Sequence, residues 1–317
     1  MSTEKNLEPL ARANRWWRVT PLLLLPFLFW DVSPEVVGTV REPVAIEALG
    51  AVLPLHVNAR VERWMERFQT VEKLAFETLL ARRGVYAPMV RGKLRSRGMP
   101  EELLYLAMME SGLRPRAVSR VSAVGLWQFM SPTALQYGLR VDPYVDERRD
   151  PVRATDAALD YLEWLHGRFG SWYLAAAAYN AGPGRVERVL RRHAEGRMGD
   201  EDLYWEVLDH LPRETREYVP RLIAATILAE GASAYGFAVA SAEPYVYDEV
   251  FVPGGTTLAR VASALDVDVG ALRYLNPHLV LGITPPGELY GVRVPVGGSP
   301  TVVASMARRS TSRRADD

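Results

Sequence analysis

The chain has 317 residues, enough for one medium domain and a smaller one, and its 48% apolar content is that of a folded protein rather than a disordered one. Lys plus Arg and Asp plus Glu both number 38, so no net field draws nucleic acid or an anionic membrane surface, and no nucleic acid is expected as a partner. The absence of cysteine excludes disulfides, thiolate metal sites, cysteine nucleophiles and the lipid-modified cysteine of a lipoprotein anchor.

In chain order, residues 1–54 read as an export or anchor segment and arm. Lys5, Arg12, Arg15 and Arg18 precede an apolar run from Pro21 to Trp30. A basic flank before about 7–15 apolar residues resembles a signal peptide. The run is shorter than the ~20 residues that span a bilayer, and no clean small-residue cleavage site follows. The aromatics Trp16, Trp17, Phe27, Phe29 and Trp30 suit peripheral membrane association. The expectation is an exported protein of the periplasm or cell envelope, and a monomer.

Residues 55–240 read as an all-α domain. Asn58 is placed to cap a helix whose apolar face carries Val61, Trp64, Met65, Phe68, Val71, Leu74 and Ala75 and which Gly84 ends. Further helices are predicted near 86–97, 100–111, 131–137, 151–168, 171–181, 183–193, 202–210 and 213–235. At Pro244 the character changes. Tyr245–Val252 and Leu289–Val296 read as strands around two short helices, giving β-α-α-β over residues 244–297. Residues 298–317, rich in Ser and Arg, read as a disordered tail.

Glu110 is the candidate acid. Leu103, Leu106 and Ala107 precede it by seven, four and three residues, so it projects on the apolar face of its helix. It also sits in the last turn, before Gly112, a left-handed stop. Desolvation and the negative end of the helix dipole both disfavour its carboxylate, which suits a general acid at neutral pH. Two segments supply amides and aromatic rings of the sort that line a neutral-ligand site. They are Gly125-Leu126-Trp127-Gln128 and, after the smooth Ala175–Ala178 surface, Tyr179-Asn180-Ala181-Gly182.

Glu110-Ser111, Gly125-Leu126-Trp127-Gln128 and Ala178-Tyr179-Asn180-Ala181-Gly182 resemble, in order and spacing, three signature motifs of the family 1 lytic transglycosylases. Glu214-Thr215-Arg216-Glu217-Tyr218-Val219-Pro220 resembles a fourth. The Trp of the second motif, Asp146–Asp150 and the Tyr-Val-Pro ending are closer to the family's membrane-bound D branch than to its soluble branch. The C-terminal unit resembles a LysM module, through Thr257-Leu258, Val261-Ala262, Leu275-Asn276-Pro277 and Val294-Pro295. The usual Gly-Asp-Thr is replaced by Gly255-Thr256-Thr257.

The resemblance implies a mainly α protein, with a goose-type lysozyme-like catalytic domain and a small βααβ glycan-binding module. It implies cleavage of the bond between N-acetylmuramic acid and N-acetylglucosamine in peptidoglycan, leaving 1,6-anhydro ends, with one glutamate as acid and then base and no cofactor or metal. Carried over by position, Glu110 is the acid/base, and Ser119 orients it or the substrate's N-acetyl group. Trp127, Gln128 and Met130 contact substrate. Tyr179 hydrogen-bonds near the carboxylate, Asn180 supports that corner, and Tyr218 lines the cleft. Trp127 stands where the family usually has Met, which leaves the adjoining subsite open.

Two alternatives stay open. A hydrolysing muramidase needs a second acid, for which Asp142, Asp146 and Glu147 are candidates. A catalytically silent wall-binding protein would use the modules as adhesive. The C-terminal module is expected to act by avidity, so that its deletion leaves cleavage of short glycans intact.

Overall fold

The computed structural model describes residues 52–239 and 242–315. The export run Pro21–Trp30, most of the arm and the side chains of Arg308, Arg309, Arg313 and Arg314 lie outside the described residues. Among the described residues, no helix is long and apolar enough to cross a membrane.

The first helix, α1 (Ala59–Gln69), starts where expected. Asn58 is extended, and its side chain accepts hydrogen bonds from the amides of Arg60 (3.0 Å) and Val61 (3.2 Å). These are two of the four amides a helix start leaves unpaired. The helix stops well before Gly84, however. Thr70 leaves helical geometry, and Val71 and Leu74, expected on the apolar face, are 84% and 81% exposed. The next helix, α2 (Lys73–Ser96), then runs straight through Gly84 and Pro88. A mid-helix glycine costs only about 1 kcal/mol relative to alanine. At this position a Cβ would lie 3.2 Å from that of Ala242, so the small residue lets the returning chain pass.

The helical core is completed by α3 (Leu104–Ser111), α4 (Ser131–Gln136), α5 (Pro151–Phe169), α6 (Trp172–Ala181), α7 (Pro183–His193), α8 (Asp202–Glu206) and α9 (Arg213–Glu230). Every residue of α3 except Glu110 is buried, and so is the Ala175–Ala178 stripe of α6. With only methyl groups on that stripe, α6 packs against α5, α7 and α9 together. The long helix α9 closes the bundle against α1, α3 and α6. Between Leu53 and Val57 the chain is non-helical and tied down. Leu53 is buried, and the Tyr173 hydroxyl donates to the Pro54 carbonyl.

The C-terminal unit has the expected β-α-α-β order. Strands β1 (Asp248–Val252) and β2 (Tyr290–Val294) pair antiparallel, with Val250 opposite Val292, and enclose α10 (Leu258–Leu265) and α11 (Val269–Leu275). Thr257 caps α10 through its side chain, despite the altered Gly-Thr-Thr sequence. Asn276 is wholly buried. Its amide donates to the carbonyls of Leu272 (2.8 Å) and Arg293 (2.7 Å) and accepts from the Arg293 amide (2.8 Å), tying the end of α11 to β2.

The stretch from residue 298, expected as a disordered tail, carries α12 (Ser299–Ala315). Its Val302 is buried with Val250, Val261 and Val294. Two strands and two short helices leave their apolar side open, and this third helix covers it.

The unit is docked, not tethered. It belongs to one compact body with the helical domain. Val145 of the helical domain lies in the C-terminal core. The Asp146 amide donates to the His278 carbonyl (2.9 Å), and the Val280 amide to the Tyr144 carbonyl (3.0 Å). At the centre, Arg293 grips both oxygens of Asp150 (2.9 and 2.7 Å), and His278 Nδ1 lies 3.3 Å from the same carboxylate; all three residues are buried. Asp150 is also the cap of α5, accepting from the amides of Val152 and Arg153. Burial raises its carboxyl, but Arg293, His278 and the amides together hold it below the usual carboxylate range.

Candidate active site

Glu110 reaches its position by local geometry. Gly112 takes a left-handed conformation (φ 63°) and donates to the Met108 carbonyl (3.0 Å), ending α3 one turn past a buried face. The stop favours glycine because of its φ; an added Cβ would also press on the tip of the Leu79 side chain, at 2.9 Å. Glu110 is the partly buried residue of this helix.

The facing surface comes from α9. Glu214, Tyr218 and Arg221 stand at i, i+4 and i+7, on one side of that helix. The Tyr218 hydroxyl donates to Glu110 Oε1 at 2.6 Å. Oε2 accepts no hydrogen bond from the described residues and so is left for a ligand. Burial is the main cause that pushes the Glu110 carboxyl up, to about 7. The hydrogen bond from Tyr218 lowers it, the negative charge of Glu214 raises it, and the positive charge of Arg221 lowers it. Burial and the carboxylate also drive the Tyr218 phenol well above its ordinary value, so it remains a donor throughout the neutral range. The site therefore holds an acid that is about half protonated at neutrality, with a cation close enough to favour the carboxylate once its proton has left.

Tyr179 sits beside the carboxylate but does not bond to it. Its hydroxyl donates to the Trp127 carbonyl (2.7 Å), clamping the 125–128 turn onto α6. The direct hydrogen bond to Glu110 comes from Tyr218, which was expected only to line the cleft. Asn180 accepts from the Thr215 hydroxyl (2.7 Å) and donates to Glu214 (3.2 Å), joining α6 to α9.

Trp127 is a correction. Its side chain is 0% exposed, and its indole N–H donates to Thr155 (2.9 Å), so it cannot stack on a sugar. It fills the core beneath the site, where a Trp→Ala change costs about 3–5 kcal/mol in packing. The turn is held by Gly125 (φ 87°), where a Cβ would lie 1.7 Å from the Arg148 carbonyl oxygen. This close approach lays the motif on the 147–149 segment. Gln128, partly exposed at φ 50°, donates to the Gly125 carbonyl (2.9 Å), and Met130 is exposed beside it.

Ser119 does not bond to Glu110. Its hydroxyl accepts from the amides of Ala123 (2.9 Å) and Val121 (3.3 Å), folding the loop between the first two motifs. Of the proposed second acids, Asp142 pairs with Arg140, Asp146 with Arg148 and Arg149, and Glu147 with Arg153. All three are spent on the segment that docks the C-terminal unit. The carboxylate that acts electrostatically on Glu110 is Glu214. Sequence reasoning assigned no role to Glu214 or Arg221; their spacing puts them on the side of α9 that carries Tyr218, but not against Glu110.

Residues 89–198 match the family model of the transglycosylase SLT domain, and residues 246–310 match that of the LysM-like domain of lytic transglycosylase MltD. The chain thus carries an SLT transglycosylase domain followed by an MltD-type LysM-like domain. It is 34% identical over 194 residues to the membrane-bound lytic murein transglycosylase D of Escherichia coli K12, covering 60% of this chain and 42% of that one. It is 33% identical over 124 residues to the soluble lytic murein transglycosylase of the same organism, covering 38% of this chain and 19% of that one. The chain therefore spans less than half the length of these relatives. Among solved structures, the 70 kDa soluble lytic transglycosylase of E. coli aligns with a TM-score of 0.39 and 25% identity, over 48% of this chain and 25% of that one.

Proposed function

We propose that the protein is a peptidoglycan lytic transglycosylase whose one acid/base is Glu110. The observation that carries this reading is the Glu110 carboxyl, raised to about 7, with Oε1 held by Tyr218 and Oε2 free. Protonated Glu110 gives its proton to the oxygen between N-acetylmuramic acid and N-acetylglucosamine, and the C1–O bond breaks. The substrate's acetamido group shields the positive charge that develops. Glu110, now a carboxylate stabilised by Arg221 and Tyr218, takes the proton of the muramoyl 6-hydroxyl. That oxygen closes onto C1, giving a 1,6-anhydro end without consuming water and returning Glu110 to its acid form. The substrate lies in the cell envelope, where an enzyme named membrane-bound, like the first of its relatives, would meet it.

The first step needs protonated Glu110, and this fixes the pH dependence. Clearing of purified murein sacculi should hold below pH about 7 and fall by about tenfold per unit above it. A rate that climbs steadily to pH 9 would contradict the acid role.

A second reading, hydrolysis by a muramidase, gains support from Glu214 as a neighbouring carboxylate. The variant Glu214→Gln separates the two. For a transglycosylase, Glu214 only raises the Glu110 pKa, so the variant should keep most of its activity with the alkaline fall moved to lower pH. A hydrolase using Glu214 as base should lose the ~10²–10⁴-fold typical of such a group.

A further inference from the structure

Two helices outside residues 89–198 stand behind the Glu110 carboxyl: α9, which carries Tyr218 and Arg221, and α1, which packs along it. They face each other through matched i, i+4 pairs. On α1, Arg60 and Trp64 both donate to Glu217 of α9, Arg60 Nη1 to Oε1 (2.7 Å) and the indole Nε1 to Oε2 (2.8 Å). One turn further along α9, the Arg221 guanidinium carbon lies over the same indole ring, 5.4 Å from its centroid. Arg67 also lies over the ring, at 5.3 Å, but Arg67 pairs with Glu72 (2.6 Å). Arg221 has no such partner. Among the described residues it makes no ion pair, and its buried Nε has no hydrogen bond. A partly buried guanidinium without a carboxylate is costly, and the aromatic face is what the structure sets against that cost.

We infer that Trp64 is a positioning residue of the active site: its indole, fixed by Glu217, holds the Arg221 cation near Glu110 but not bonded to it. The inference rests on the transglycosylase reading and adds to it a residue that makes no bond to Glu110. One glutamate must be an acid in the first step and a carboxylate in the second, and these set opposing demands on the cation. A guanidinium bonded to Glu110 would hold the carboxyl ionised, since an opposite charge within ~4–6 Å lowers a carboxyl by about 1–3, and no proton would be left to give. A guanidinium lost to solvent would leave the new carboxylate without a counter-charge in a desolvated site. A ring face attracts the cation yet offers it no acceptor. The indole N–H is tied to Glu217, so the ring cannot turn away. Against burial, the largest cause, and the charge of Glu214, Tyr218 and then Arg221 favour the Glu110 carboxylate. The other groups that face the pair are Glu72 before α2 and Arg67 on α1, which act on Arg221, and Tyr179 on α6, which faces Glu110.

The test reads the Glu110 carboxyl directly, by ¹³C NMR titration of the full-length protein labelled at the glutamate carboxyls. The Glu110 signal is identified by its absence in Glu110→Gln. Arg221→Met should move the midpoint up from about 7 by roughly one pH unit. Trp64→Leu should move it the same way, about half as far or more. Trp64→Phe, which keeps a smaller ring and loses the bond to Glu217, should raise it less than Trp64→Leu does. In the Arg221→Met background neither Trp64 variant should raise it further. A midpoint unmoved by Trp64→Leu, or moved equally with and without Arg221, would overturn the inference, because the ring would then act by packing alone. Should the Trp64→Leu protein not fold, Trp64→Phe decides in the same way: a rise that needs Arg221 supports the inference, and no rise, or one indifferent to Arg221, overturns it. Clearing of sacculi checks the transglycosylase reading separately, since its alkaline fall should follow the titration in each variant. Midpoints that move as expected while the alkaline fall stays in place would leave Trp64 holding Arg221 and would sink Glu110 as the acid.

Discussion

Replacing Glu110 by Gln should lower turnover by at least ~10²–10⁴-fold and, at alkaline pH, make the fold more stable than wild type. The amide keeps the oxygen that accepts from Tyr218 and loses the transferable proton. The stability effect follows from linkage. The carboxyl has an ordinary value of 4.5 and a folded value of about 7. Below pH 4.5 both states hold the proton and the group costs nothing. Between 4.5 and 7 the unfolded chain ionises first, so stability falls as pH rises, and above 7 the whole cost is present. One unit is worth about 1.4 kcal/mol, so the cost reaches roughly 3 kcal/mol. Calorimetric melting at pH 4 and pH 8 checks this. Wild type and variant should melt together at pH 4 and apart at pH 8, with the variant higher. Equal differences at both values would mean that the carboxylate is not held in a desolvated site.

The second large effect is at the seam between the two parts. Arg293→Ala should destabilise the protein by about 3–5 kcal/mol, because it leaves the buried Asp150 charge uncompensated. Asp150 also caps α5, so the loss reaches the helical domain. Adding Asp150→Asn should recover much of that loss, since asparagine keeps a good cap and carries no charge. Urea unfolding gives both numbers. Truncation at residue 244 removes Arg293, His278 and Tyr245 together. It should give a chain that melts far below the full protein, not the freely active helical domain that an avidity module would leave behind. A truncated protein with unchanged melting would show the seam to be energetically idle.

Much of the site was legible in the sequence because the local rules there act alone. The 3-4-7 spacing before Glu110 and the glycine after it determine a buried face and a helix end, and both are found. Asn58 and Thr257 could be read as caps for the same reason. The misreadings came where tertiary packing overrode local signals. Gly84 is a helix breaker by propensity, yet its missing side chain is what lets the chain at Ala242 cross α2. Trp127 is an aromatic of a site motif, but its ring fills the core. Glu214 and Arg221 went unassigned because their effect depends on α9 lying against α3, which no single-helix pattern contains. The docking of the C-terminal unit was likewise hidden. Asp150 and Arg293 are 143 positions apart, and neither carries a local mark of a partner.

The central claim is that one glutamate gives up one proton, takes back another from the substrate, and water takes no part. Digesting purified murein with the protein in ¹⁸O-enriched water, and weighing the soluble fragments by mass spectrometry, tests it most directly. The account predicts fragments one water lighter than reducing muropeptides, ending in 1,6-anhydro-muramoyl groups and free of ¹⁸O at C1. Reducing ends carrying ¹⁸O would contradict it and would transfer the site to a hydrolase using a second group, with Glu214 the first to examine.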